Sequence, residues 1–249
     1  MSNQLPWQPD PQTAERDIAY LAVGADLDVY AAGFREGAEA LLEVIRDGGY
    51  DRDSLVYPIL YNLRHAVELS LKKVIWSARR LMDEPGDFPD GHRLDWLWNT
   101  CEPILRRVFP QDQSYATMAR TVDQLCQLDP AGEGFRYPLS SKEAGTRSPT
   151  LDPKLRQLDL GALFSDVVRI VELLDGADFG MDFFMDAKAE MRQIEREMRA
   201  EYEAEMRAEH EAEMRQIERE MRAEYEAEMK AEFAAEMRAE YAADMRGEY

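Results

Sequence analysis

The C-terminal part of the chain is a tandem repeat, and this repeat limits the possible folds more than any other feature of the sequence. Residues 190–212 recur as residues 213–235 with three changes, and a partial third copy follows. Each copy runs in a four-residue register of Glu, then Met or an aromatic residue, then Arg or Glu, then Ala. Strong helix formers fill the copies, and neither Pro nor Gly interrupts them before Gly247. The sequence therefore predicts one long helix over residues 181–249, called the rod below.

One side of the rod carries Met and aromatic residues at steps of mostly four residues. Six such positions in each copy give a period of about 3.8 residues, which is longer than a helical turn, so any supercoil is right-handed. We call this row the apolar stripe. Its predicted self-association residues are Met198, Tyr202, Met206, Met214, Ile217, Met221, Tyr225, Met229, Phe233, Met237 and Tyr241.

A second row of the rod is acidic and runs parallel to the apolar stripe. This acidic ridge comprises Glu220, Glu224, Glu228, Glu232, Glu236, Glu240, Asp244 and Glu248. The ridge repels itself, which opposes parallel packing of identical chains and leaves a solvated single helix as one alternative. Docking onto another protein is a second alternative. The stripe, however, holds more apolar surface than a solvated helix needs, so we expect the rod to form a homo-oligomer or to bind a protein partner.

The charge of the chain excludes several classes of function. A formal net charge of −20 makes the protein a poor ligand for DNA and for anionic membrane surfaces. No apolar run approaches the roughly 20 residues that cross a bilayer, and the first residues do not resemble a signal peptide. Cys101 and Cys126 lack the spacing of a zinc module or a disulfide framework. We therefore expect a cytoplasmic protein with no membrane or DNA partner, no metal and no cofactor.

Upstream of the rod, apolar residues recur at helical spacing between short loops, which indicates an all-α bundle of four to five helices. The predicted organisation is an irregular arm over residues 1–25, the bundle over residues 26–180 and the rod over residues 181–249. The predicted helices of the bundle are residues 26–47, 54–82, 94–108 and 113–128, and a fifth that begins near residue 159.

Two irregular segments interrupt this pattern. Residues 129–153 are rich in Gly, Pro and Ser, which predicts a long loop, with a short extended pair around Phe135, Arg136 and Tyr137. The sequence Asp-Gly-Ala-Asp at residues 175–178 predicts a weak break between the fifth helix and the rod.

The second predicted helix carries the most informative polar residues of the bundle. Arg64, Glu68 and Lys72 are spaced four residues apart, so they share one side of the helix, and His65 lies at its edge. A His near a Glu can transfer protons, whereas the simplest explanation of the spacing is a ladder of paired charges.

A basic and aromatic strip follows on the same helix. It comprises Lys72, Lys73, Trp76, Arg79 and Arg80, a composition that can contact RNA. A solvated helix edge explains it equally simply, so RNA is a possible partner that we do not favour.

Three short motifs follow one another along the chain. They are Leu63-Arg64-His65 with Glu68 and Lys72, Gly91-His92-Arg93-Leu94 with Leu97, and Phe135-Arg136-Tyr137-Pro138. In this order, over residues 26–175, they resemble the HEPN-like helical proteins of bacteria. The resemblance implies a bundle of four or five helices, and many members of that superfamily are RNA-targeting or regulatory modules in phage defence and toxin–antitoxin systems.

The chain departs from the nuclease members of that superfamily, which carry an Arg four to six residues before a His. None of the three histidines, His65, His92 and His210, has an Arg four to six residues before it. We therefore expect a non-catalytic interaction or assembly subunit. The alternative is a metal-independent ribonuclease that uses Arg64, His65, Glu68 and His92 in an unusual arrangement. In the non-catalytic interpretation, a buried polar network joins the long loop to the second helix through Arg64, His65, Glu68, Lys72, His92 and Arg136.

Overall fold

The computed structural model describes residues 27–48, 51–86, 89–140, 147–152 and 154–247, together with Ala14 and Ala19. Apart from those two alanines, the predicted arm of residues 1–25 lies outside the described residues. Within the described ranges the chain is all-helical, with an isolated β-bridge between Leu139 and Pro149 and no strand, which confirms the predicted fold class. The helices are α1 Leu27–Arg46, α2 Arg52–Leu81, α3 Leu94–Val108, α4 Tyr115–Leu128 and α5 Leu160–Gly247.

Helix α2 lies at the centre of the bundle. The carboxylate of Asp51 accepts the backbone N–H of Asp53 at 3.0 Å and caps the first turn. Further along, residues 66–72 are buried without exception, so every side of this stretch is covered by other parts of the chain. Helices α1, α3 and α4 and the first turns of α5 contribute the rest of the apolar core.

The start of α5 belongs to the bundle, because Val167, Ile170, Leu174 and Met181 are buried in the same core. The predicted break at residues 175–178 is wrong, since α5 continues through it without interruption. A glycine inside a helix costs only about 1 kcal/mol, which burial of the flanking residues outweighs.

Gly180 helps to fix α5 in the bundle. A Cβ atom at this position would lie 2.9 Å from Cζ of Phe109, the residue that follows α3. Only glycine therefore allows the Phe109 ring to approach the helix this closely.

A partly buried ion cluster joins three of the helices. Nζ of Lys73 in α2 lies 2.8 Å from Oδ2 of Asp178 in α5 and also contacts Oδ1 of Asp28 in α1. Burial lowers the pKa of Lys73, but hydrogen bonds to Asp178 and Asp28 outweigh it and raise the pKa above its ordinary value. This lysine is therefore part of the fold and not of an RNA-binding strip.

The long loop after α4 differs from its prediction. Instead of an extended pair around Phe135, residues 134–136 form a turn in which the backbone N–H groups of Arg136 and Tyr137 donate to the carbonyl of Glu133. The bridge between Leu139 and Pro149 lies a few residues later. Phe135 is buried, so the turn directs an aromatic ring into the bundle.

The chain divides into two compact units, Met1–Met185 and Asp186–Tyr249. The first contains the bundle and the first five residues of the rod, and the second contains the rest of the rod. This division lies five residues after the predicted boundary at 180. In the second unit the described side chains are exposed, except that of Lys188, which is partly buried. Among the described helices, none combines the length and the hydropathy that a membrane span requires.

Candidate functional site

The polar side of α2 is buried in the structure. Arg64, Glu68 and Lys72 retain 5%, 2% and 5% of their accessible surface, although their spacing equally fits an exposed ladder. Burying an ionised side chain is tolerable only when partners compensate for the lost water. We call these three residues, together with His65, His92 and Asp129, the charge cluster. The contacts within the charge cluster therefore determine what this part of the molecule can do.

Glu68 lies at the centre of the charge cluster. Its Oε1 atom lies 2.7 Å from Nδ1 of His92 and 3.1 Å from Nζ of Lys72. Its Oε2 atom accepts a hydrogen bond from Nη1 of Arg64 at 3.2 Å and lies 3.9 Å from Nδ1 of His65. Both oxygens of one buried carboxylate are thus held by cationic or protonatable groups.

These partners determine the ionisation of Glu68. Burial alone would raise its pKa, but hydrogen bonds with His65, His92 and Lys72 and the positive charge of Lys72 lower it to about 2. Glu68 is therefore a carboxylate at neutral pH. Because an ionised carboxylate can only accept, the proton in its hydrogen bond to His92 lies on Nδ1 of the imidazole.

Arg64 connects α2 to both loops that cover this side of the bundle. Its Nη2 atom donates to the backbone carbonyl of His92 at 2.7 Å. Its Nε atom lies 3.5 Å from Oδ2 of Asp129, an ion pair whose geometry is too poor for a hydrogen bond. Arg64 therefore fixes the segment before α3 and the start of the loop after α4 at the same time.

The loop after α4 is shaped to accept the guanidinium of Arg64. Gly132 has a φ of +75°, and a Cβ atom there would lie 2.8 Å from Nη2 of Arg64, so both its backbone and its surroundings require glycine. The Asp129 carboxylate accepts the N–H of Gly134 at 2.9 Å. Arg136 turns back and donates from Nη2 to the carbonyl of Gly132 at 2.9 Å.

A small cavity of about 120 Å³ remains between these elements. Charged and aromatic side chains line it, and Arg136 lies within reach of the Tyr61 ring, with 5.9 Å between the guanidinium carbon and the ring centroid. The lining residues are Tyr61, Arg64, His65, Glu68, His92, Gly132 and Arg136. Such a cavity has room for a few water molecules or a small polar group.

The two histidines of the cluster have different surroundings. The ring of His65 lies between aromatic residues, edge-on to Phe34 at 4.4 Å and stacked with Tyr61 at 5.7 Å between centroids. The side chain of His92 is 73% exposed, although the contact of its Nδ1 atom with the buried Glu68 carboxylate orients its ring. A solvent-exposed imidazole held by a buried carboxylate can exchange protons with a bound molecule, so His92 has the geometry for proton transfer.

The structure brings together most of the residues that the sequence singled out. Arg64, His65, Lys72 and His92 all surround Glu68, whereas Arg136 lines the same cavity without contacting that carboxylate. His92 is exposed, so the cluster is not buried throughout.

Sequence reasoning missed two participants in this cluster, Asp129 and Gly132. Asp129 directly follows α4 and precedes a glycine-rich stretch, which is the signal that could have identified it. A buried arginine has five N–H donors, and Glu68 alone cannot satisfy them, so a second acceptor was to be expected.

The proposed RNA-contacting strip of α2 is largely engaged inside the bundle. Lys72 pairs with Glu68, and Lys73 pairs with Asp178. Trp76 of this strip remains at the surface and is 39% exposed. The guanidinium carbon of Arg80 lies 5.3 Å from the centroid of its ring. Without its lysines the strip is too small to follow a nucleic-acid backbone.

The rod presents a second candidate site of a different kind. The eleven predicted stripe residues are between 44% (Ile217) and 71% (Tyr241) exposed. Its charges pair locally, for example Nε of Arg199 with Oε1 of Glu203 at 3.2 Å. A continuous exposed apolar row of this length is typical of a surface that binds another molecule.

Comparisons with models of known protein families, with curated proteins and with solved structures find no match.

Proposed function

We propose that this protein is a HEPN-like interaction and assembly subunit of a bacterial anti-phage defence or toxin–antitoxin system, and that it acts in the cytoplasm. In this proposal the bundle is a non-catalytic domain and the rod joins copies of the chain. The charge cluster serves the fold, because it ties the two loops around α2 to a single buried carboxylate.

The exposure of the apolar stripe carries the proposal. Tyr225 and Phe233 are 64% and 65% exposed, and Met221 and Met237 are 65% and 51% exposed. Burying one such side chain contributes roughly 1.5–3 kcal/mol. The stripe repeats this gain many times along one helix, whereas a simple spacer needs only ion pairs. Association through the stripe therefore supplies the burial that the rod does not find within its own unit.

The test is light scattering on the full chain and on a variant with a polar stripe. In that variant Met221, Tyr225, Met229, Phe233 and Met237 are all replaced by Gln. We expect the natural chain to be oligomeric at micromolar concentration and the variant to be monomeric, because each lost contact weakens association.

A matched control places the same number of glutamines on the opposite side of the rod. Ala200, Ala223, Ala227, Ala231 and Ala235 lie two residues from stripe positions, hence about 200° around the helix. The control variant should retain the oligomeric state of the natural chain. If the natural chain is a monomer at 0.3 M salt and micromolar concentration, the assembly proposal is wrong.

A second candidate function, RNA cleavage, is favoured by one specific observation. His92 is exposed while Nδ1 is held 2.7 Å from the buried Glu68 carboxylate, which leaves Nε2 as the ring atom outside this contact. A histidine oriented in this way can act as a general base or a general acid. Arg64, His65, Glu68 and His92 are the residues of this candidate, and Arg136 adds positive charge beside them.

Incubation of the purified chain with labelled single-stranded RNA and with tRNA distinguishes the two functions. We expect both RNAs to remain intact, as for an assembly subunit. Cleavage that disappears in both His65→Ala and His92→Ala would instead establish the ribonuclease. The His210→Ala variant is the control, because that histidine lies in the rod.

A further inference from the structure

We infer that two copies of the rod pair in parallel and in register, and that they fit best over residues 228–242, near the C-terminal end of the rod. This inference rests on the proposed self-association and adds the direction and the alignment of the two helices. It follows from the charges that flank the apolar stripe on its two sides.

The residue before each stripe position and the residue after it have different charges. The preceding residue is acidic along almost the whole rod, as in Glu228 before Met229 and Glu236 before Met237, and this row is the acidic ridge. The following residue is basic after each methionine, as in Lys230 and Arg238. Since successive residues of a helix are about 100° apart, the two rows lie on opposite flanks of the stripe.

Helix direction decides which flanks meet. When two identical helices pair in parallel about a twofold axis, the left flank of one faces the right flank of the other, as g and e positions do in parallel coiled coils. When they pair antiparallel, each flank faces its own kind. An antiparallel pair would therefore place the acidic ridge against a second acidic ridge, and like charges in this position destabilise the pair.

A parallel pair gives the acidic ridge a favourable partner at every methionine. Glu228 of one copy faces Lys230 of the second copy, and Glu236 faces Arg238. These residues differ by only two positions, hence about 3 Å along the axis, so the pairing requires the two chains to be in register. In this proposed geometry the two ridges lie on opposite sides of the pair, so the repulsion expected between parallel ridges does not oppose the pairing.

Residues 228–242 are the most complementary part of the rod. The residues that follow Tyr202 and Tyr225 are Glu203 and Glu226. At these tyrosines a parallel pair therefore places the acidic ridge of one copy against a glutamate of the second copy. At Phe233 and Tyr241 the following residue is alanine instead. Within residues 228–242, the residues that flank each methionine therefore attract those of the second copy, and the residues that flank each aromatic side chain do not repel them.

The apolar positions of the same segment are exposed and available. Met229, Phe233, Met237 and Tyr241 are 48%, 65%, 51% and 71% exposed. Because the stripe has a period above 3.6 residues, two helices that keep it in contact wind around each other in a right-handed sense.

Disulfide trapping in the full chain tests the direction and the register. Under mild oxidation, Met237→Cys should form a disulfide with its counterpart in the second copy. The control Ala235→Cys lies on the far side of the helix and should remain free, and the natural chain controls for Cys101 and Cys126. A mass-tagged Met198→Cys chain mixed with a Met237→Cys chain should form homodisulfides in excess of mixed disulfides, on the order of tenfold.

The possible failures are distinguishable. Predominantly mixed disulfides between positions 198 and 237 would show an antiparallel pair and overturn this inference while leaving self-association intact. An oligomer that traps neither position 237 with itself nor the mixed pair would overturn the register. A monomer in light scattering of the same samples would overturn the proposed function.

A charge reversal tests the flank argument independently. Changing both Lys230→Glu and Arg238→Glu places acid against the acidic ridge, so the dissociation constant should rise by roughly tenfold or more. The control pair Arg196→Glu and Arg219→Glu makes the same change of net charge on the back of the rod, two residues after stripe positions. Equal effects of the two pairs would mean that net charge alone acts, and the flank argument would fail.

Discussion

The two units of this chain distribute their side chains in opposite ways. In the bundle, the charged residues Arg64, Glu68 and Lys72 are buried and the core is complete within one chain. In the rod, apolar residues such as Tyr225 and Met237 are 64% and 51% exposed, while the charges pair along the surface. The same four-residue spacing produces both rows, so spacing alone does not determine burial.

The difference shows what burial depends on. Arg64, Glu68 and Lys72 of α2 are buried, so this polar row requires partners, and two loops supply part of them. Gly132 lets one of these loops approach Arg64 closely. The stripe residues from Met198 to Tyr241 have no such cover within their own unit. A buried charged row indicates a finished interior, whereas an exposed apolar row indicates an interface that a second molecule completes.

The largest expected effect is the loss of the central carboxylate. Glu68→Ala leaves Arg64 and Lys72 without their shared acceptor in a buried place, which should lower the free energy of unfolding by about 3–5 kcal/mol. Urea unfolding followed by tryptophan fluorescence measures it, because all four tryptophans precede the rod.

The matched change in the rod is Glu203→Ala, which removes an exposed carboxylate that also contacts two arginines, Arg199 and Arg207. It should cost at most about 0.5 kcal/mol. If Glu68→Ala also costs less than about 1 kcal/mol, the charge cluster behaves as a surface ladder and the contrast between the units disappears.

Lowering the pH should gradually remove the stabilisation that the Glu68 carboxylate contributes. The pKa of Glu68 falls from its ordinary 4.5 to about 2 in the folded chain, so its contribution is complete above pH 4.5 and is lost as the pH falls toward 2. The shift corresponds to roughly 3 kcal/mol.

We expect the natural chain and Glu68→Gln to differ in unfolding free energy at pH 7 and to converge between pH 4.5 and 2. Urea titrations at several pH values provide this comparison. A gap that stays constant over this range would show that Glu68 is not stabilised as a carboxylate.

Two glycines of α5 should give smaller effects than Glu68. At Gly180, an added Cβ meets the Phe109 ring, so Gly180→Ala should destabilise the bundle by about 1–2 kcal/mol. At Gly176 nothing lies within 4 Å of the added atom, so Gly176→Ala should stabilise the helix by roughly 0.5–1 kcal/mol. Thermal unfolding of the two variants should therefore shift in opposite directions. A Gly180→Ala variant as stable as the natural chain, or more stable, would refute the close approach of Phe109.

The sequence predicted the helices of the bundle well because their apolar spacing and their end signals agree. The limits of α3, Leu94–Val108, match the prediction, and those of α1 and α2 differ from it by one or two residues. The break at residues 175–178 failed because Met181 and Asp178 are held by distant parts of the chain, which local propensity does not report.

The candidate site was predictable only in part, for a similar reason. The spacing of Arg64, Glu68 and Lys72 places them on one side of a helix, but which loops cover that side depends on the tertiary fold. Asp129 was missed because its role depends on the position of Arg64 in space. The exposure of His92 could not be predicted from its motif, because a histidine that contacts a carboxylate can be either buried or exposed to solvent.

The exposed methionines of the rod also give the two units different sensitivities to oxidants. Thioethers are converted to polar sulfoxides more readily when solvent reaches them. Met118 and Met181 of the bundle are 2% and 0% exposed, whereas Met198 and Met221 of the rod are 63% and 65% exposed. Peroxide would therefore modify the stripe first, and each sulfoxide would place a dipole in the surface through which we propose that two rods associate. Mild oxidation, reversible by methionine sulfoxide reductases, should separate the copies while the bundle stays folded.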